Sequence, residues 1–277
     1  MNRELLNRTL TALIAGTVTM GAIIYSPYGF WLFCVIVSLV GVWEFMSVMG
    51  VGFRRYKWLT VLGLGGIWLL ELVDLILFDM GMGEIPAKLM FAAMILLLPV
   101  AGLLALFNAK EKEPIQQLSV MMLAGIYVFI PLYLFYDIAV PAVSSDYNFW
   151  LPLGILLLTW VLDSFAYFSG RLFGKHPLFP RISPKKTWEG ATGGAVCSLI
   201  LAGVFATYLP EGPYSWWVIG GIIVIFSQLG DLMESMFKRS RQLKDSGSIL
   251  PGHGGMLDRF DGIFVSIPFI FFYFSLL

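Results

Sequence analysis

The sequence predicts an all-α, polytopic integral membrane protein of about nine transmembrane helices. Composition is the first reason: 58% of the 277 residues are hydrophobic and only 13% are charged, about half the ~25% charged share of a soluble domain. The apolar residues also fall into runs of about 20, the length of a helix that crosses the hydrocarbon core. Finally, the Lys and Arg residues gather in alternate connections between those runs.

Taken in order, the first span is expected at 9–26, led by a basic Met1–Arg8 stretch with no small-residue cleavage site after it, so it is expected to be retained. Gly, Pro and charged breaks then delimit spans near 29–49, 58–78, 89–107, 118–136, 150–169, 190–209, 215–233 and 262–277. The connections are short, and the chain reads as a single membrane domain, 1–277. Residues 1–150 are mainly scaffold spans, whereas 151–277 carry the polar motifs.

The formal net charge is zero, yet 17 of the 18 Lys and Arg residues fall on one side of this nine-span topology. They are Arg3 and Arg8; Arg54, Arg55 and Lys57; Lys110 and Lys112; five in the connection after the sixth span; and five after the eighth. Lys88 alone lies opposite. Because cytoplasmic loops hold the positive excess, the N-terminus is expected in the cytoplasm and the C-terminus outside. The membrane is expected to be the plasma (inner) membrane. Cys34 and Cys197 lie far apart in apolar runs with no partner at metal-ligand spacing, and read as packing residues.

Two polar constellations stand out. The first runs Asp163, Ser164, Tyr167, Gly170, Arg171, Gly174, Lys175, then Ser183-Pro-Lys185-Lys186-Thr187-Trp-Glu-Gly190. Five cations in such a loop suit topology alone. The hydroxyls of Ser183 and Thr187, backbone N–H groups at the start of the seventh span, and Lys185 and Lys186 also suit a polyphosphate. No phosphate-binding P-loop and no dinucleotide-binding glycine fingerprint is present.

The second constellation holds Gln228, Asp231, Glu234, Ser235, Lys238, Arg239, Lys244, Asp245, His253 within Pro-Gly-His-Gly-Gly, Asp258, Arg259 and Asp261. At 3.6 residues per turn, Asp231, Glu234, Ser235 and Lys238 share one helical face. Asp258 and Asp261 are similarly placed at the entrance to the last span. Two acidic pairs beside a membrane invite a hard divalent cation; the plainer reading is an interfacial salt-bridge network with Lys238, Arg239 and Arg259. His253 suits phosphate binding, proton transfer or support of its loop, and His176 has too little context for a role. Glu44, Glu71 and Asp74 are isolated acids within spans, read mainly as packed or interface-facing residues.

The string S-M-F-K-R-x₄-K-D-x-G-x₂-L-P-x-H-G-G-M-x-D-R-F-D, from Ser235 to Asp261, resembles the full signature of phosphatidate cytidylyltransferases. D-S-x-A-Y-x₂-G-R-x-F-G-K from Asp163 and S-P-K-K-T-W-E-G from Ser183 are similar to that family's second block. The motif resemblance covers about a third of the chain, Asp163 to Gly262.

The resemblance implies transfer of CMP from CTP to phosphatidic acid with release of pyrophosphate, in an all-helical membrane homodimer using Mg²⁺. It implies Asp231 and Asp258 as metal ligands, with Asp245 and Asp261 assisting, around one or two divalent cations and a place for a monovalent ion. It also implies Ser183, Lys185, Lys186, Thr187, Lys238, Arg239, Lys244 and Arg259 as phosphate contacts, with Asp163 lining the same cavity. The expected partners are CTP, phosphatidic acid and membrane lipid, and no nucleic acid. A CTP-dependent lipid kinase, which would release CDP instead, is the nearest alternative. A cation-coupled transporter is a more distant one, since transporters show broken spans in corresponding halves and the polar motifs here occupy one half.

Overall fold

A computed structural model describes residues 3–51, 54–81, 87–106, 113–140, 147–209, 212–243, 245–247 and 254–277. The described residues are helical apart from one β-hairpin and short connections. The helices are α1 (Arg3–Tyr25), α2 (Pro27–Val48), α3 (Arg54–Asp79), α4 (Ala87–Leu106), α5 (Pro114–Ala124), α6 (Ile130–Ala139), α7 (Trp150–Phe173), α8 (Trp188–Tyr208), α9 (Trp216–Ser240) and α10 (Leu257–Phe274). A π-helical turn, Gly125–Phe129, joins α5 to α6 in one continuous rod. The turn comes just before Pro131, whose missing N–H and bulky ring interrupt the α ladder at that level.

Among the described residues, six of these helical rods are long and apolar enough to cross a membrane: α2, α3, α5 through α6, α7, α8 and α9. The protein is therefore an all-α, multi-pass membrane protein. Expected spans one, four and nine correspond to α1, α4 and α10. Of these, α10 opens with Asp258, Arg259 and Asp261, and those charges dilute its apolar character.

Local chemistry explains the helix limits. Ser26 accepts a hydrogen bond from the Gly29 N–H at 3.1 Å, and Pro27 follows it, so a side-chain cap and a preset φ start α2. Gly50, at φ +78, ends the same helix in a conformation that a Cβ would strain. Three helices run further than their hydropathy suggests: α7 extends to Phe173, α9 to Ser240, and α10 starts at Leu257. A helix satisfies its own backbone, so it can carry polar side chains past the apolar segment without unpaired N–H and C=O groups.

The interior of the first half is aromatic. Trp68 of α3 is fully buried against Phe129, Tyr133 and Tyr136. Its indole N–H donates to Ser38 Oγ of α2 at 2.8 Å, while the Trp31 indole N–H donates to the Trp68 carbonyl at 3.1 Å. Glu71, one turn further along α3, accepts from the Tyr133 hydroxyl at 3.0 Å.

Tertiary contacts sort the helix ends into two groups. At one end Lys57 donates to Ser47 Oγ (2.8 Å), Arg241 to the Met49 carbonyl (2.5 Å) and the Leu257 N–H to Glu44 Oε2 (3.0 Å). At the other, Tyr147 donates to the Ile23 carbonyl (2.7 Å), Asn148 to the Tyr214 hydroxyl (3.2 Å) and the Ser215 N–H to the Tyr273 hydroxyl (2.8 Å). The first end carries the motif residues.

In the second half α7 lies along α8, and small residues let them approach closely. A Cβ at Gly194 would sit 2.5 Å from the Leu162 carbonyl oxygen, which is backbone and cannot swing aside. Gly194→Val is therefore expected to force α7 and α8 apart at a cost of about 1–3 kcal/mol. A detergent melting curve should show a Tm lowered by about 3–10 °C, whereas Gly221→Ala, where nothing among the described residues lies within 4 Å, should not lower it.

Candidate active site

At the motif end, α7, α9 and α10 meet a β-hairpin formed by β1 (Pro177–Phe179) and β2 (Ser183–Thr187). Together they enclose a cavity of about 570 Å³. The hairpin was not anticipated from the polar, Gly- and Pro-rich loop. It is antiparallel, with Pro177 opposite Thr187 and Phe179 opposite Ser183, and the Trp188 N–H donates to the His176 carbonyl at 2.9 Å to close its open end. Glu189 then clamps the strand leading in: it accepts from the Lys175 and His176 N–H groups at 3.1 and 3.2 Å and contacts His176 Nδ1 at 2.5 Å. These contacts explain why Glu189 and His176 sit beside the motif without facing the cavity.

The cavity wall includes Asp163, Tyr167 and Arg171 from α7, Lys185, Lys186 and Thr187 from β2, Gln228, Asp231, Glu234 and Lys238 from α9, and Asp258 and Asp261 from α10. Thr187 also caps α8, accepting from the Gly190 N–H at 3.1 Å. Two of the first N–H groups of α8, those of Trp188 and Gly190, are thereby satisfied within the protein.

Close packing of α9 on α10 brings their acids together. A Cβ at Gly230 would overlap the Asp261 carbonyl oxygen, and one at Gly262 would overlap Ser227 Oγ. With no side chain at either glycine, carboxylate oxygens of Asp231, Glu234 and Asp261 all lie within 4.8 Å of one another. Lys186 forms an ion pair with Asp231.

Lys238 is shared. Its ammonium lies 2.7 Å from Glu234 Oε2 and 2.5 Å from Asp258 Oδ1, in a setting where Glu234 is only 3% exposed. The other oxygen of Asp258, Oδ2, accepts from the Ser246 N–H (3.0 Å), the Ser246 hydroxyl (2.9 Å) and the Gly255 N–H (2.8 Å).

The sequence-derived residues thus separate into groups. Asp163, Lys185, Lys186, Thr187, Asp231, Lys238, Asp258 and Asp261 converge on the cavity. Ser183 is held at the hairpin end and is not in its wall, Arg239 donates instead to the Leu243 carbonyl at 3.0 Å, and Asp245 is exposed away from it. Lys244 and His253 lie outside the described residues. Arg259 lines a neighbouring groove. Glu234, which the sequence reading placed on the Asp231 face without a role, is the third member of the acid cluster, and its spacing from Asp231 was the available signal.

The donor set fits a hard cation. Three carboxylates converge, Asp231 and Asp261 are partly open to the cavity, and Glu234 Oε1 is buried with no hydrogen-bond partner among the described residues. Oxygen donors of this kind suit Mg²⁺.

The groove beside the cavity holds about 870 Å³ and is lined mainly by apolar residues of α1 and α2, among them Val18, Gly21, Leu32, Ile36 and Val37. It ends at Asp163, Ser164, Asp258 and Arg259, so Asp163 and Asp258 belong to both spaces.

A profile of the Cytidylyltransferase family matches residues 6–277. A phosphatidate cytidylyltransferase of Staphylococcus haemolyticus is 33% identical over 269 residues, covering 95% of this chain and 96% of the relative. One from Bacillus subtilis is 32% identical over 280 residues, covering 99% and 98%. One from Haemophilus influenzae is 44% identical over 138 residues, about half of each chain, at 47% and 48%.

Removing Lys238 would leave the buried Glu234 and the half-buried Asp258 without their shared cation, at a cost of about 3 kcal/mol, the lower end for breaking a buried pair. Lys238→Met should accordingly lower the detergent Tm sharply. The double variant Lys238→Met with Glu234→Gln, which removes one of the two acids as well, should recover part of that loss.

Proposed function

The chain belongs to the Cytidylyltransferase family, and from that premise we propose that it is a phosphatidate cytidylyltransferase, transferring CMP from CTP to phosphatidic acid to give CDP-diacylglycerol and pyrophosphate. The observation that carries this reading is the shared wall: a charged cavity suited to a nucleotide and an apolar groove suited to acyl chains meet at Asp163 and Asp258.

The chemistry is an in-line displacement. A phosphate oxygen of phosphatidic acid attacks the α-phosphorus of CTP, the new P–O bond forms as the bond to the bridging oxygen breaks, and pyrophosphate carries away the electron pair. The two substrates are both anionic, so the protein must first hold them together against their repulsion. Lys185 and Lys186 on β2 supply positive charge on the nucleotide side, and a phosphate can take Lys186 from Asp231. Arg259, where the groove ends, faces the lipid phosphate. Lys238 keeps Glu234 and Asp258 in place and contributes its charge to the same wall.

A divalent cation such as Mg²⁺ at Asp231, Glu234 and Asp261 would supply further charge neutralisation and polarise the reacting phosphate. Asp258 is the alternative ligand from the motif, at the expense of its contact with Lys238. Asp245 is exposed outside the cavity wall and is not assigned to this site.

We assign nine spans to the chain, with the N-terminus cytoplasmic, the C-terminus external and the catalytic end facing the cytoplasm of the plasma membrane. The one-sided distribution of Lys and Arg supports this orientation, and it matches a nucleotide substrate drawn from the cytosol. Phosphatidic acid then enters sideways through the apolar groove. A homodimer belongs to the same proposal, resting on the family resemblance, and is checked by light scattering of the purified protein.

The deciding experiment incubates detergent-purified protein with phosphatidic acid and α-labelled CTP, with Mg²⁺ or with EDTA. The expected result is labelled lipid and equimolar pyrophosphate only with Mg²⁺; CDP release without labelled lipid would replace this reading with a lipid kinase. Asp231→Asn and Glu234→Gln should each raise the Mg²⁺ concentration for half-maximal rate at least about tenfold, in line with the loss of one oxygen ligand. Gly21 lines the groove, and a Cβ there would meet nothing within 4 Å among the described residues, so Gly21→Phe places a ring at the groove wall. It should raise KM for dioleoyl phosphatidate much more than for the dihexanoyl lipid, and leave KM for CTP unchanged.

A further inference from the structure

Glu44 lies on α2, in the half of the chain without motifs, and lines neither the cavity nor the groove. It is nevertheless only 3% exposed, a costly placement for a carboxylate unless donors surround it. Its Oε2 accepts from the N–H of Leu257, the residue immediately before Asp258. Two glycines press on it: a Cβ at Gly247 would lie 2.5 Å from Glu44 Oε1, and a Cβ at Gly255 would lie 2.5 Å from Oε2 and overlap Ser246 Oγ. Ser246 and Gly255 are the residues whose N–H and hydroxyl groups hold Asp258 Oδ2. The start of the same connection is tied to α2 as well, since Arg241 donates to the Met49 carbonyl at 2.5 Å and packs where a Cβ on Gly50 would fall.

We infer that Glu44 is a positioning residue for the transfer reaction, anchoring to α2 the segment that orients Asp258. The inference rests on the proposed cytidylyltransferase function for its kinetic readout and on the hydrogen bonds alone for its structural one. Glu44 itself lines neither the cavity nor the groove, so its loss should act on turnover more than on substrate binding. Lys185 and Lys186 sit on the hairpin, whose position does not depend on Glu44.

The test compares full-length wild type, Glu44→Ala, Glu44→Gln and Gly255→Ala in detergent. Glu44→Ala is expected to lower kcat by roughly 30- to 100-fold, the scale of a misplacement of about 1 Å at a catalytic group. KM for CTP should stay within about threefold, because nucleotide-binding groups are preorganised elsewhere. Glu44→Gln keeps an acceptor for the Leu257 N–H and should restore most of the rate. Gly255→Ala should also lower kcat, because its methyl would press on Ser246 Oγ and Glu44 together. Gly247→Ala in the same assay, whose methyl would press on Glu44, should mimic Glu44→Ala but add little to it, since the shortened side chain leaves room for the new methyl; such non-additivity marks a shared contact. Glu71→Gln, which loses a membrane acid far from this segment, is the control and should retain wild-type rates.

A Glu44→Ala enzyme with kcat close to wild type, or a loss carried by KM, would overturn the inference. Additive effects of Glu44→Ala and Gly247→Ala would overturn it too. Should Glu44→Ala fail to fold, Glu44→Gln and Gly255→Ala still decide it: a Gly255→Ala enzyme with normal kcat would count against it. Hydrogen exchange at 254–258 provides the reading that is independent of activity. If the wild type shows no CTP turnover, the functional proposal fails, while faster exchange at Leu257 in Glu44→Ala, with Glu44→Gln close to wild type, would still identify Glu44 as the anchor, and unchanged exchange in Glu44→Ala would remove it.

Discussion

The arrangement depends on an ammonium group shared between two helices. Lys238 stands between Glu234 on its own helix and Asp258 on α10, and neither acid is well placed in water. Carboxylates in a weakly polar surrounding repel strongly, so five of them in one cavity wall require compensating charge or they would force the helices apart. Arg171, Lys185, Lys186 and Lys238 supply part of it. The remainder is what the proposed divalent cation would supply, and the glycine contact at 230 and 262 sets how close the acids come. Packing thus imposes an electrostatic demand, and the reaction makes use of it.

The second organising problem is that the two substrates belong to different solvents. A nucleotide triphosphate requires charge and water, whereas the tails of phosphatidic acid require hydrocarbon. The helical bundle answers with two spaces that abut rather than one of intermediate character. The reacting phosphates are needed only where they touch. Asp163 and Asp258, which border both, sit where the polarity changes, and Asp258 reaches that position because an extended α10 carries it there.

Much of this was legible in the sequence, and for definite reasons. Apolar runs and one-sided basic residues give a helical membrane protein because the bilayer enforces length and backbone satisfaction. Periodicity placed Asp231, Glu234 and Lys238 on one face, and they do line one cavity. Other features depend on contacts that no local pattern encodes. Glu44 is 213 residues from its partner Leu257, and an acid in an apolar run gives no hint of which group donates to it. The hairpin was missed because Ser-Pro-Lys-Lys-Thr has neither alternation nor an Asn-Gly turn. Helix limits moved because hydropathy registers where side chains become polar, whereas a helix ends where its backbone finds other partners; α9 accordingly runs on to Ser240. Arg239 and Asp245 lie in the motif yet face away from the cavity, since a linear motif does not state which of its side chains point inward.

The abutting cavity and groove also bear on which direction the reaction runs. CDP-diacylglycerol keeps its acyl chains and so departs into the bilayer by the apolar route, while pyrophosphate, wholly ionic, has only the watery exit. The two products are thereby delivered to separate phases. For pyrophosphorolysis to occur they would have to meet again by arriving from opposite solvents at one border between Asp163 and Asp258. Geometry leaves the equilibrium of this nearly isoenergetic exchange of phosphoanhydride bonds unchanged, so the net direction is set by how each phase removes the product it receives.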